Sequence, residues 1–81
     1  MTLEERFING EINGMLFTTP TCGFCPAAKQ HLSKFDNVEI KDATTETELV
    51  STYRLMSVPT LVLANDGGEF VTLSKDAILK L

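Results

Sequence analysis

Cys22 and Cys25 are the residues of this chain best suited to carry out chemistry. They are its only cysteines, three positions apart in Cys22-Gly23-Phe24-Cys25. A bridge between them would close so short a loop that it could add little stability by restricting the unfolded chain. Their pairing therefore points to reaction rather than stapling, with a buried thiol pair or half of a zinc site shared between two chains as the competing uses. A thiolate is the nucleophile in thiol–disulfide exchange. Where a strand feeds a helix, the first amides of the helix are unpaired and carry partial positive charge. A thiolate placed there is stabilised, so the Cys22 pKa is expected below the free value of ~8.5. Cys22 is then the attacking sulfur. Cys25, one turn further in and less exposed, resolves the mixed disulfide. Gly23 lets a partner backbone come close, Phe24 offers an apolar contact beside the sulfur, and Pro26 pre-sets helical φ in a turn where a missing N–H costs little.

The flanking elements supply that junction. Met15-Leu16-Phe17-Thr18 reads as a buried strand after the turn signal Asn13-Gly14, and Thr19 to Phe24 is the break. From Cys25 to Phe35 the apolar residues Ala28, Leu32 and Phe35 define one helical face. Val38 to Lys41 alternates like a strand with Val38 and Ile40 facing inward. Before all of these, Thr2 to Asn9 reads as a short helix opened by a Thr2/Glu5 capping box and stopped at Gly10. A second capping box, Thr45 with Glu48, opens a helix carrying Leu49, Val50 and Tyr53. Met56 to Pro59 breaks it, and Thr60 to Ala64 is a strand buried on both faces. Asn65-Asp66-Gly67-Gly68 is a hairpin turn returning through Phe70-Val71-Thr72, after which Ser74 caps a last amphipathic segment with Ala77, Ile78 and Leu81. The order α–βαβ–α–ββ–α implies an α/β fold with a four-stranded mixed sheet flanked by helices.

Composition narrows the function. At 81 residues, 43% of them apolar, the chain is expected to be a single domain spanning 1–81. Seven basic against eleven acidic residues give a net charge of −4 with no basic run, which argues against nucleic acid and anionic membranes as partners. No stretch reaches the apolar length of a transmembrane helix. Met1 to Arg6 is too acidic and polar for a targeting leader, so a cytoplasmic protein is expected.

Two stretches carry a family resemblance. Thr18-Thr19-Pro20-Thr21-Cys22-Gly23-Phe24-Cys25-Pro26, followed by Tyr53-Arg54-Leu55-Met56-Ser57-Val58-Pro59-Thr60-Leu61-Val62-Leu63, resembles the thioredoxin superfamily over roughly residues 14–81. Within it the chain is most similar to glutaredoxins and the smallest glutaredoxin-like thioredoxins. The resemblance implies a thioredoxin fold, here with a short extra N-terminal helix, and a dithiol oxidoreductase that reduces protein disulfides or glutathione mixed disulfides. It implies a cis Val58–Pro59 bond facing the site, with Val58 offering backbone hydrogen bonds to a substrate strand. Thr21, Gly23, Phe24, Val58, Pro59 and Ser74 would line the substrate or glutathione site, with no metal and no tightly bound cofactor. Glutathione would serve as co-substrate. Either it or a thioredoxin reductase would donate electrons to a monomer whose clients are disulfide-containing proteins such as a ribonucleotide reductase.

The chain also departs from these relatives. Thr21 stands where thioredoxins usually carry Trp, and Thr18 and Thr19 stand where glutathione-using glutaredoxins typically show a basic residue. Gly67-Gly68 precedes the last strand instead of following it, where Leu73-Ser74-Lys75-Asp76 stands. The motif is also similar to the Cys-Gly-Phe-Ser motif of iron–sulfur glutaredoxins, with Cys25 in place of Ser, so a dimeric glutathione-ligated cluster carrier is the alternative reading. Elsewhere, His31 is expected on a solvated helix position, Glu46 and Glu48 at a helix start, and Tyr53 at the core edge.

Overall fold

Local signals at the N-terminus act as read. In the computed structural model, which describes residues 2–81, Glu5 N donates to Thr2 Oγ1 at 3.1 Å and Thr2 N to Glu5 Oε1 at 3.3 Å. This capping box starts α1 (Leu3–Ile8). Gly10 at φ 80° stops it, with Gly10 N bonded to the Phe7 carbonyl and Glu11 N to the Arg6 carbonyl, the paired closure of a Schellman turn. The remaining elements are β1 (Gly14–Thr18), α2 (Cys25–Leu32), β2 (Val38–Asp42), α3 (Thr47–Thr52), β3 (Thr60–Ala64), β4 (Phe70–Leu73) and α4 (Lys75–Leu79).

The strands form one sheet in the order β2-β1-β3-β4. β1 pairs parallel with β2 and antiparallel with β3, which pairs antiparallel with β4. A mixed sheet of this order follows from a βαβ unit extended by a hairpin. Period-two alternation then sorts the side chains. Leu16, Leu61, Leu63 and Leu73 join Phe7 of α1, Ala28 and Leu32 of α2 and Ile78 of α4 in one buried cluster. Phe17 and Val62, at the alternate positions of β1 and β3, are fully buried too. The central strands are therefore apolar on both faces. Among the described residues no helix is long and apolar enough to cross a membrane.

Three local expectations are corrected and a fourth is refined. α2 ends at Leu32 instead of continuing to Phe35, because Ser33 donates its hydroxyl to the Gln30 carbonyl at 2.6 Å and tightens the last turn. Phe35 then turns onto Phe7, with ring centroids 4.9 Å apart. Ile40 is paired with Leu16 and so shares the inward face, yet it is 50% exposed, because β2 is an edge strand with a neighbour on one side only. The Thr45/Glu48 capping box does not form. Thr45 donates its hydroxyl to the Asp42 carbonyl, so α3 begins one residue later with Glu46 at its N-cap position and no side-chain cap. Ser74 does occupy the N-cap position of α4, but its side chain makes no capping hydrogen bond.

Candidate active site

The sheet register gathers the motif residues at one end. Phe17 is paired with Thr60, so the chain leaving β1 at Thr18 lies beside the segment that enters β3 through Pro59. Leu61 is paired with Leu73, so β4 delivers Ser74 and Lys75 to that same end. Thr18 is paired with Asp42, which brings the end of β2 there as well. Residues far apart in the chain thus meet at the C-terminal end of β1.

Cys22 and Cys25 are joined in a disulfide with Cα atoms 5.4 Å apart. Cys25 is the first residue of α2 and is 2% exposed, whereas Cys22 is half-buried in the preceding loop. The loop is fixed by Cys22 N donating to the Thr19 carbonyl at 3.2 Å. Pro26 follows in the first turn of α2, where it removes a donor that has no intrahelical acceptor. The accessible sulfur therefore lies just outside the positive end of a helix and the closed one lies within it. Thr21 and Gly23 are exposed in this loop, and a Cβ built at Gly23 would meet nothing within 4 Å. The Val58–Pro59 bond is cis, in line with the expectation drawn from the resemblance. Pro59 is buried and Val58 half-buried.

Sequence reading missed three features of this end. Lys75 Nζ sits 3.9 Å from the centroid of the Phe24 ring, tying α4 to the residue between the cysteines; the two are too far apart in sequence for any local pattern to pair them. Met56 is 97% exposed in the loop that leads to Pro59. Asp42 accepts from Thr44 Oγ1 at 2.6 Å and Thr44 N at 2.8 Å, and these bonds hold its carboxyl below the usual aspartate range. A cleft of about 300 Å³ lies alongside, lined by Thr18, Thr19, Pro20, Lys29, Ile40 and Asp42. A larger hollow of about 630 Å³ lies at the opposite end of the sheet, among Arg6, Glu11, Asn13, Met15, Glu39 and Asp66. It contains neither cysteine.

The other candidates serve packing. Tyr53 stacks edge-on against Phe70 at 4.9 Å and is half-buried. His31 is less solvated than its helix position suggests: it is half-buried, and its Nε2 is enclosed without a hydrogen-bond partner.

A four-stranded mixed sheet flanked by helices, with a cysteine pair where its central strand feeds a helix, is a thioredoxin fold. The family model for glutaredoxin matches residues 15–71. The chain belongs to the glutaredoxin family, whose chemistry is thiol–disulfide exchange. A designed protein solved by crystallography is similar to it at 28% identity, with a TM-score of 0.60 over 91% of this chain and 75% of that one. No curated protein matches the chain.

Proposed function

We propose that the protein is a dithiol thiol–disulfide oxidoreductase that reduces protein disulfides or glutathione mixed disulfides through Cys22 and Cys25. The observation that carries this reading is the linked pair itself, with one sulfur accessible outside α2 and the other enclosed at its first residue. In the reduced protein the Cys22 thiolate attacks one sulfur of a substrate disulfide. That S–S bond breaks, a Cys22–substrate disulfide forms, and the other substrate sulfur departs as a thiolate that takes a proton from solvent. Cys25 then loses its proton to solvent and attacks the Cys22 sulfur. The second substrate thiolate leaves, and the intramolecular disulfide remains. Two electrons have passed from the cysteine pair to the substrate.

A dithiol or two monothiols must return those electrons, and glutathione or a thioredoxin reductase fits that role. Thr21, Gly23 and Phe24 in the exposed loop, with Val58, Pro59 and Ser74 at the neighbouring strand ends, form the surface proposed to hold substrate. Each of these residues belongs to a segment that the register brings to the cysteine end of the sheet.

NADPH consumption coupled to glutathione reductase plus glutathione, and separately to thioredoxin reductase, tests the reading and identifies the donor. Cys22→Ser should bring disulfide reduction to background. Cys25→Ser should stop reduction of protein disulfides, while glutathione can still resolve a mixed disulfide formed at Cys22. Insulin reduction by Cys22→Ser at the parent rate would exclude the mechanism. A visible chromophore in anaerobically purified protein would favour the cluster-carrier reading instead.

A further inference from the structure

The contact between Lys75 and Phe24 brings a charge to the redox centre that the exchange chemistry above does not use. The ammonium stands 3.9 Å from the ring centroid, well within the range of a cation–π interaction. Among the described residues the single ion pair is Lys41 with Glu39, so no carboxylate stands in ion-pairing contact with Lys75. Phe24 is 58% exposed and sits between the two cysteines in the motif. The ring therefore holds, within the motif, a positive charge that has no ion-pair partner. Cys25 is closed to reagents, so any disulfide must approach Cys22, two residues before the ring that holds this charge. The chain as a whole carries −4, so the ammonium on Phe24 is a local charge opposite in sign to the molecule's net charge.

We propose that Lys75 is a specificity-determining residue of the redox site, its ammonium held on the Phe24 ring so that Cys22 reacts preferentially with compounds carrying a carboxylate near the reacting atom. This rests on Cys22 being the attacking thiol. The substrates so favoured are anionic disulfides, and cationic disulfides are disfavoured. The role needs a charge on a long side chain at position 75, which arginine would also provide and methionine would not.

Alkylation of the reduced protein provides a test independent of disulfide turnover. Rates of Cys22 modification by iodoacetate and by iodoacetamide, followed site by site with mass spectrometry, yield a ratio that reports the potential at the sulfur. Lys75→Met should lower the iodoacetate-to-iodoacetamide ratio by about fivefold, the effect of one unit charge a few ångströms away across water. Lys75→Arg should keep the parent ratio. Salt at about 0.5 M should move the parent toward the methionine variant, because it shortens the screening length below ~10 Å. Lys75→Gln, another neutral side chain, gives a second reading should the methionine variant fold poorly. A ratio unchanged in the neutral variants overturns the assignment. A parallel measurement with an aromatic dicarboxylate disulfide and with cystamine should show the same loss of preference for the anion. If the parent reduces neither disulfide while the alkylation ratio still falls, the oxidoreductase reading fails and the charge selection at Cys22 stands.

Discussion

Asp42 shows how a single residue at this end of the sheet is set by its neighbours. Its carboxylate receives two hydrogen bonds from Thr44, hydroxyl first and backbone amide second, and both favour the ionised form. A carboxyl whose folded pKa lies below its unfolded value contributes stability that is present above the unfolded value, ~3.9. That contribution is lost as the pH falls through the lower folded value. Thr44→Val removes the hydroxyl donor and should raise the Asp42 titration midpoint measured by NMR. The stability difference between variant and parent should then close in acid. A midpoint left in place by the substitution would show that the hydroxyl does not set it. The hydrogen bond was not legible beforehand because the Thr45/Glu48 pattern competes with it on paper. In the fold, Asp42 captures both threonines, Thr44 through its carboxylate and Thr45 through its carbonyl. By contrast, the Cys22–Cys25 linkage was readable at once, since its spacing is local. Lys75 against Phe24 was not, because only the β3–β4 register brings them together.

At the scale of elements, Gly14 governs how closely α1 can approach the sheet. A Cβ there would stand 2.9 Å from Phe7 Cε1, 3.0 Å from Leu61 Cδ1 and 3.1 Å from Leu63 Cδ2. Gly14→Ala should therefore cost about 1–3 kcal/mol as an overpacked site. In a chain of this size that lowers Tm by ~4–8 °C for each kcal/mol, measurable by calorimetry on the oxidised protein; an unchanged Tm would mean that α1 shifts freely. Read as a sequence, Asn13-Gly14 signals only a turn. Its second role as a close-contact point needs the fold, because the crowding atoms come from α1 and β3. Element types and order were legible throughout, since hydrophobic period and turn residues agree along the chain. Element ends were less so. Ser33 and Asp42 redirect backbone hydrogen bonds at the end of α2 and before α3. Ile40 shares the inward face of Leu16, but the edge position of β2, which needs the strand order to be known, leaves half of it exposed.

On the scale of the molecule, the glutaredoxin match ends before the core does. Residues 15–71 include the cysteines and nearly all of the sheet, yet Phe7 of α1 and Ile78 of α4 lie outside that span and are fully buried. Phe7 stacks on Phe35, and Asn37 donates its side-chain amide to the Phe7 carbonyl at 2.9 Å and to the Ile12 carbonyl at 2.6 Å. α1 is thus a wall of the core at the end of the sheet away from the cysteines. Phe7→Ala should cost about 3–5 kcal/mol through lost burial and the cavity left behind. Small domains have total stabilities near the lower end of ~5–15 kcal/mol, so this one side chain represents most of the margin. Ile8→Ala, at a neighbouring position that is 51% exposed, should change stability by no more than ~0.5 kcal/mol. Urea unfolding of both variants checks the contrast. Reduction of disulfides should fall in Phe7→Ala only as far as its folded fraction falls, because the cavity is remote from Cys22. A Phe7→Ala midpoint close to that of Ile8→Ala would mean that the 15–71 span holds the core without α1.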